Sequence, residues 1–324
     1  MGFGKTVKDF FHSNRSLGHL YDEMIWKKDT IKCALVSDRR YAKQQYEKEI
    51  GVKLNLDDPK TFDEKIWYLM LYNRDPLLTK CSDKYEVREY VRECGLEYIL
   101  NELYGVYDRA EDIDFDTIPS PCFIKCNHTS GGNMIFDRSK PFDREESVRW
   151  LNFMLRQNLY CRSREWNYKN IRPRIIVEKL LKDKEGKLPI DYRFMCFNGV
   201  PKLIFLDLHA CDEEGNHAED DYRNIYDMDF KPIDMRVTMT PRNPENYGKP
   251  ENYDEMVRCA EILSKPFPHC RVDLYNIDGT IVFGEMTFYH GAGFNKITPP
   301  EWDRKMGDWI DISNIKKPEE TGNR

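Results

Sequence analysis

Apolar positions along the 324-residue chain keep a helical period at its start and, from near residue 120, alternate between strand and helix patterns. Up to about residue 75 the pattern is helical and polar. Thr61-Phe62-Asp63-Glu64 has the Ser/Thr-x-x-Glu spacing of a capping box, in which two side chains take up orphan N–H groups at a helix start. It predicts a helix with Ile66, Trp67, Met70 and Leu71 at helical spacing, broken by Pro76. Ser82-Asp83 is a second start signal, leading into Tyr85, Val87, Tyr90 and Val91.

Near residue 120 the texture changes. Cys122-Phe123-Ile124-Lys125-Cys126 reads as a short strand between Pro121 and a turn-rich segment, Asn127 to Asn133. Asp143 and Glu146 open an amphipathic helix with Val148, Leu151, Leu155 and Leu159 on its apolar face. Ile175-Ile176-Val177 is a buried strand. Tyr192 to Phe197 and Leu203 to Leu208 form a hairpin about Asn198-Gly199, and Arg271 to Tyr275 and Ile281 to Thr287 form another about Asp278-Gly279. Between them, Asp254 to Lys265 is helical, and the polar stretch Cys211 to Asp221 reads as a mobile loop. The result is an α+β chain with two strand-rich regions, roughly 120 to 180 and 190 to 290, behind a helical N-terminal lobe.

Charge and cysteine usage narrow the class. A net charge of −6 argues against a nucleic-acid protein, which needs a basic surface to neutralise phosphates. No apolar run approaches the roughly 20 residues of a membrane span. The ten cysteines show no C-x-x-C pair, and Met1 to Arg15 lacks the apolar core of a signal peptide. Both point to reduced thiols in a cytoplasmic protein, with peripheral membrane association left open. Met1-Gly2-Phe3-Gly4-Lys5-Thr6 fits a myristoylation pattern, but the match is too short to count.

Several residues are suited to chemistry. Lys125 on a strand, followed by Ser130-Gly131-Gly132, is a plausible phosphate cradle, although taken alone the segment favours an exposed strand lysine before a Gly-Gly turn. Alternation puts Arg271 and Asp273 on one face of their strand, and Glu285 and Thr287 on one face of the hairpin partner. Asp273 and Glu285 then fall within one or two rungs of each other. Two such carboxylates repel unless a cation lies between them, and hard oxygen ligands suit Mg²⁺; a solvated hairpin face with Arg271 paired to an acid is the bland alternative. Glu178-Lys179-Leu180-Leu181 follows the buried run, where strand-edge backbone can read an adenine ring, and Asp191 is an acid suited to ribose hydroxyls. His128 and His290 lie in glycine-rich loops, where satisfying backbone groups is the commoner role. Arg164 to Tyr168 and Phe288-Tyr289 stack a sugar or simply pack.

The order of these elements resembles the ATP-grasp superfamily, and within it the TupA-like ATP-grasp family, named for teichuronopeptide synthesis and associated with cell-surface polysaccharide. The phrases carrying the closer likeness are Pro59 to Lys65, Phe123 to His128, Asp191-Tyr192-Arg193-Phe194 with Phe197-Asn198-Gly199, and Arg271 to Tyr275 through Phe283-Gly284-Glu285. The resemblance implies an ATP-grasp fold with two α+β lobes sandwiching ATP. The lobes would divide as a helical N-terminal lobe 1–78, a first ATP-grasp lobe 79–180, and a second lobe with its tail, 181–324. It implies Lys84 and Lys125 on ATP phosphates, Ser130, Gly131 and Gly132 over them, Glu178, Lys179 and Leu180 at the adenine, and Asp191 on ribose. Asp273, Glu285 and Thr287 would hold Mg²⁺, and Arg271 would stabilise an oxyanion. The implied reaction joins a glycan or small-molecule carboxylate to an amine or amino acid through an acyl phosphate. A phosphotransferase and a non-catalytic nucleotide-binding module are the alternatives; Arg271 favours the ligase. Two departures stand out: Thr287 occupies the last position of a Glu-x-Asn metal motif, and no βαβ pattern precedes the core.

Overall fold

The capping box forms as its spacing predicts. In the computed structural model, which describes residues 14–208, 222–238, 242–243 and 247–317, Thr61 Oγ1 accepts the Glu64 N–H at 3.3 Å and Glu64 Oε2 accepts the Thr61 N–H at 3.1 Å. The helix they start, Phe62–Tyr72, ends at Asn73, before Pro76 is reached. Pro76 instead opens the next helix, Pro76–Ser82, in the first turn where a missing N–H costs nothing, and Asp75 caps it through the Leu77 N–H. Ser82 belongs to that helix, and only Asp83 acts as a start signal: its Oδ1 accepts the N–H groups of Tyr85 and Glu86 ahead of the helix Val87–Glu93.

Strand β1 (Leu103–Tyr107), β2 (Cys122–Cys126), β3 (Met134–Phe136) and β4 (Ile175–Lys179) form an antiparallel sheet in the order β1-β4-β2-β3. The helix Arg144–Leu155, capped by Asp143 on the Glu146 N–H, packs on it. Leu159 does not continue that helix: Asn158 caps a separate one, Leu159–Ser163. The second sheet is larger, with β5 (Asp191–Phe197), β6 (Val200–Leu208), β7 (Tyr222–Tyr226), β9 (His269–Ile277) and β10 (Thr280–Thr287) in the order β10-β9-β5-β6-β7; β8 (Arg236–Val237) pairs only with β11 (Ile297–Thr298). Its hairpins turn at Asn198-Gly199 and Asp278-Gly279, where all four residues take positive φ. That is the mirror-image turn matching strand twist. Helix Tyr253–Ser264 covers the sheet with Met256, Cys259, Ala260 and Leu263 buried.

Two apolar clusters result. One joins the helices from Tyr41 to Val91 with the large sheet, so Trp67, Phe62 and Phe194 belong to one core. The other lies between the small sheet and the helix Arg144–Leu155, around Ile124, Leu151 and Val177. The N-terminal helix Arg15–Leu35 lies against the small lobe and the short helix Leu159–Ser163. Arg15 and His19 reach Glu146, and Arg164 donates to the Lys32 and Cys33 carbonyls and to Asp38 at 2.8 Å. The nine described cysteines are all free thiols. Among the described residues no helix is long and apolar enough to cross a membrane. The polar stretch 211–221 and the segment Met1 to Thr6 lie outside the described residues.

Helix Glu301–Trp309 crosses the start of the helix Phe62–Tyr72, where Asp303 Oδ1 accepts the Phe62 N–H at 3.0 Å. At Gly307 a Cβ would collide with the Lys60 carbonyl oxygen and stand 2.6 Å from the Thr61 carbonyl carbon. Gly307→Ala lies mid-helix, where alanine normally gains about 1 kcal/mol over glycine. Here overpacking against backbone should reverse the sign, at a cost of about 1–3 kcal/mol, measurable as a lower denaturation midpoint.

Candidate active site

Strand alternation builds the site. On β9 Arg271, Asp273 and Tyr275 face the same way, and Val272 and Leu274 are buried on the other side. Across the hairpin Glu285 pairs directly with Asp273, and Thr287 with Arg271. This depends on a bulge between Phe283 and Glu285. Ahead of it Val282 shares the face of Tyr275; beyond it the odd-numbered Glu285 and Thr287 do. Gly284 sits in the bulge because a Cβ there would stand 3.0 Å from the Asp273 carbonyl oxygen and 3.2 Å from the Tyr275 ring.

The cation between the two carboxylates is Arg271. Its Nε donates to Asp273 Oδ1 at 2.7 Å, its Nη2 to Asp273 Oδ2 at 2.5 Å and to Glu285 Oε1 at 3.2 Å, and its Nη1 to His290 Nδ1 at 3.0 Å. A guanidinium only donates, so His290 accepts at Nδ1 and is a neutral ring. Burial first, then the positive charge of Arg271, push its pKa well below the ordinary histidine value. Alongside, Arg193 bridges Asp191 at 2.7 Å and Asp207, with Asp273 3.7 Å away, and Arg223 grips Asp207 through two bonds of 2.6 and 2.5 Å. One face of the large sheet thus carries three arginines against four carboxylates: Asp191, Asp207, Asp273 and Glu285. Burial pushes Asp273 above the ordinary carboxylate range against the pull of Arg271, and Asp191 adds to the push. Burial also works against the charge of Glu285, yet Lys84, Arg271, Arg193 and Lys125 outweigh it and hold its pKa down to about 2. Its side chain is 39% exposed, opening into the cleft between the sheets.

The opposite wall supplies the cations. Lys84 follows the helix Pro76–Ser82; its Nζ donates to the Thr129 carbonyl at 2.8 Å and stands 3.7 Å from Glu285. Lys125 on β2 pairs with Glu178 on the neighbouring strand β4 at 2.7 Å, and Arg88 reaches the same carboxylate at 3.4 Å. Gly131 and Gly132 both take positive φ in the turn after β2, with Ser130 exposed beside them. Where β4 leads toward β5, a cavity of about 370 Å³ is lined by Lys179, Leu180 and Leu181, by Ile99 and Leu100, and by Ile277 and Val282. Glu178 is not part of that lining; it points to Lys125 and Arg88.

The structure therefore brings Lys84, Arg271, Asp273, Glu285 and Thr287 together and sets Lys125 and Glu178 beside them as an ion pair. Asp191 lies on the same sheet face, held by Arg193 through Oδ2; its buried Oδ1 has no hydrogen-bond partner. His128 lies deep in its loop against the Gln157 carbonyl and Asn127, and burial lowers its pKa to about 4. Trp166 is faced by Arg74 at 5.1 Å. Sequence reading gave no role to Arg193, Asp207 and Arg223, although the alternation of Asp191-Tyr192-Arg193-Phe194 on β5 was an available signal for the first. It also missed Glu165, whose charge interacts with Glu285, Arg271 and Lys84.

The donor set accommodates a divalent cation. Among the described residues no three His, Cys, Asp or Glu side chains converge as a metal site of their own. Mg²⁺ needs only one or two carboxylates where nucleotide phosphates supply the other oxygens. Glu285 is ionised and open to the cleft, and each Asp273 oxygen keeps a second lone pair beyond its bond to Arg271. Thr287 Oγ1 donates to Glu285 Oε1 at 3.3 Å and adds a neutral oxygen.

This fold, with facing sheets and a charged cleft between them, is that of an ATP-grasp protein. The family model of TupA-like ATP-grasp proteins matches residues 64–311, and the chain belongs to that family. Solved structures with a similar arrangement include an L-amino acid ligase from Bacillus licheniformis (14% identity, 66% of this chain and 44% of that chain, TM-score 0.40). A D-alanine–D-alanine ligase from Bacillus anthracis aligns at 19% identity over 65% of this chain and 59% of that one, with TM-score 0.39. The VanG D-Ala:D-Ser ligase from Enterococcus faecalis aligns at 14% identity over 72% and 62%, with TM-score 0.42. The match thus spans less than two thirds of each of these proteins, and at such scores it adds nothing about activity. A search of curated proteins finds no match.

Glu165 allows a test of the electrostatics. It is 9% exposed; burial, opposed by a hydrogen bond with Ser163 and reinforced by Glu285, raises its pKa from 4.5 to about 7. A carboxyl raised in the folded state contributes stability fully below its unfolded pKa and loses it as pH rises through the folded one. Glu165→Gln should therefore unfold at a higher temperature than the parent above about pH 7, by the equivalent of ~1–3 kcal/mol, with the gap closing toward about pH 4.5. Thermal unfolding followed across that range checks it.

Proposed function

We propose that this chain is an ATP- and Mg²⁺-dependent ligase that joins a carboxylate to an amine through an acyl phosphate. The carboxylate we assign is a uronic acid of a capsular or other surface polysaccharide precursor, and the amine an amino acid or simple amine. Family membership supports the nucleotide. The observation that carries the chemistry is the meeting of Lys84 and Arg271 on Glu285, which sets a phosphate-binding cation and an oxyanion donor within one small volume.

In this reading Lys84 and Lys125 take phosphate oxygens under the Ser130-Gly131-Gly132 turn. The apolar cavity beside Lys179 and Leu180 takes the adenine ring, with Glu178 behind it holding Lys125. The unpartnered Asp191 Oδ1 accepts a ribose hydroxyl. Glu285, Asp273 and Thr287 hold Mg²⁺, which supplies charge neutralisation at the phosphates. A substrate carboxylate oxygen attacks the γ-phosphorus, the bond to the β–γ bridging oxygen breaks, and ADP leaves. The amine nitrogen then attacks the acyl carbon and loses its proton, and phosphate departs as the amide forms. Arg271 has five N–H groups, of which four are engaged by Asp273, Glu285 and His290. The remaining Nη1–H is the one we assign to the oxyanion, a fixed donor in a water-poor site. We assign the lobes as 1–78, 79–180 and 181–324, the first supporting the other two.

Two measurements test this. Purified protein with ATP, a uronic acid and hydroxylamine should yield a hydroxamate together with ADP and free phosphate. Arg271→Lys keeps the charge but loses the fork, and should slow amide formation by on the order of 10²-fold while retaining Mg·ATP binding. A phosphorylated product without hydroxamate would sink the ligase reading in favour of a phosphotransferase. Secondly, thermal stabilisation by ATP should require added Mg²⁺, and Glu285→Gln should abolish that Mg²⁺-dependent stabilisation. Equal protection in EDTA would overturn the paired-acid assignment.

A further inference from the structure

The helix Arg15–Leu35 exposes an apolar stripe that no other described element covers. Of the eight large apolar side chains exposed among the described residues, Leu17, Leu20, Met24, Ile31 and Leu35 lie on this one helix, from 40% to 79% exposed. At 3.6 residues per turn they fall within an arc of roughly 60°, with Lys27 on one edge and Lys28 on the other. The opposite side is anchored: Gly18 is buried, Arg15 and His19 hold Glu146, Glu23 pairs with Arg156, and Trp26 packs on the small-lobe core. The exposed residues of this helix include Arg15, Lys27 and Lys28 but no carboxylate; Asp22, Glu23 and Asp29 are half-buried. Of those cations Arg15 lies on the anchored side, so Lys27 and Lys28 are the charges that border the stripe.

We propose that this face docks on an anionic lipid surface, its apolar stripe seated among acyl chains and its lysines on phosphate headgroups. An apolar stripe edged by cations is the pattern of a helix lying in the membrane interface. A second copy of the chain fits the face poorly. Two-fold contact through the stripe would centre near residue 26 and bring the four lysines of Lys27 and Lys28 together, with no exposed acid on either helix to meet them. Docking here would hold the small lobe, and the cleft it covers, at the membrane.

The test is co-sedimentation of the full chain with vesicles of phosphatidylcholine alone and of phosphatidylcholine mixed with phosphatidylglycerol. Binding is expected only to the anionic vesicles and should fall as salt is raised. Leu20→Asp with Ile31→Asp, and Lys27→Glu with Lys28→Glu, should each lower partitioning by roughly tenfold or more. All four positions are exposed, so unfolding temperature and circular dichroism should match the parent. These readouts do not depend on ligase activity. Absence of sedimentation, or equal binding to neutral vesicles, would overturn the proposal. So would a concentration-dependent dimer, seen by sedimentation equilibrium, that disappears in the Leu20→Asp/Ile31→Asp variant; that result would give the face to a second copy.

Discussion

Burying carboxylates on the face of a sheet is affordable only if cations are built in beside them, and this constraint organises the large lobe. An uncompensated buried charge is strongly destabilising, whereas a paired one with satisfied hydrogen bonds is tolerated. Arg193 and Arg271 meet it here. Each holds more than one acid, and each is flanked on its strand by buried residues, Tyr192 and Phe194 beside Arg193, Cys270 and Val272 beside Arg271. The sheet therefore has two unlike faces: one is ordinary apolar core under the helix Tyr253–Ser264, the other sets alternating charges among buried Met195 and Phe205 along the cleft. A nucleotide entering that cleft would meet charges already in place, with little reorganisation required.

The two faces are covered differently. On the far side the helix Tyr253–Ser264 packs against the sheet, with Tyr253 beside Phe194. On the charged side Met195 and Phe205 are buried among the ion pairs, and Phe62 of the helix Phe62–Tyr72 packs on Phe197 and His269. Asp63 and Asn295 carry the connection inward: Asn295 donates to Asp63 at 2.7 Å and to the His290 carbonyl at 2.8 Å, and His290 in turn accepts from Arg271. A hydrogen-bonded path therefore runs from the capped helix Phe62–Tyr72 to the guanidinium at the centre of the site.

Much of this was legible in the sequence, and the failures have physical causes. The hairpins at Asn198-Gly199 and Asp278-Gly279 and the capping box at Thr61 rest on local backbone chemistry, which a sequence displays directly. The pairing of Asp273 with Glu285 was visible to within one or two rungs; the bulge that settles it depends on a close backbone approach at Gly284 and has no periodic signature. Pro76 misled because proline both ends and begins helices, and only the cap at Asp75 distinguishes the two. Arg193, Asp207 and Arg223 stayed hidden for a different reason. Their roles come from cross-strand neighbours far apart in sequence, and each looks alone like a residue on a solvated strand. Glu165 was hidden by its surroundings, since Arg164 and Trp166 draw attention to packing.

The bulge at Gly284 also divides β10 into two segments with opposite parity. Toward the turn, even-numbered Thr280 and Val282 face the cleft and line the cavity beside Lys179 and Leu180; past the bulge, odd-numbered Glu285 and Thr287 face the cleft. A strand without this discontinuity would present either the cavity wall or the acid, never both, on the same side. The extra residue works as a frame shift in the geometry of the chain, and the two ends of the strand can vary in sequence independently because neither sets the orientation of the other.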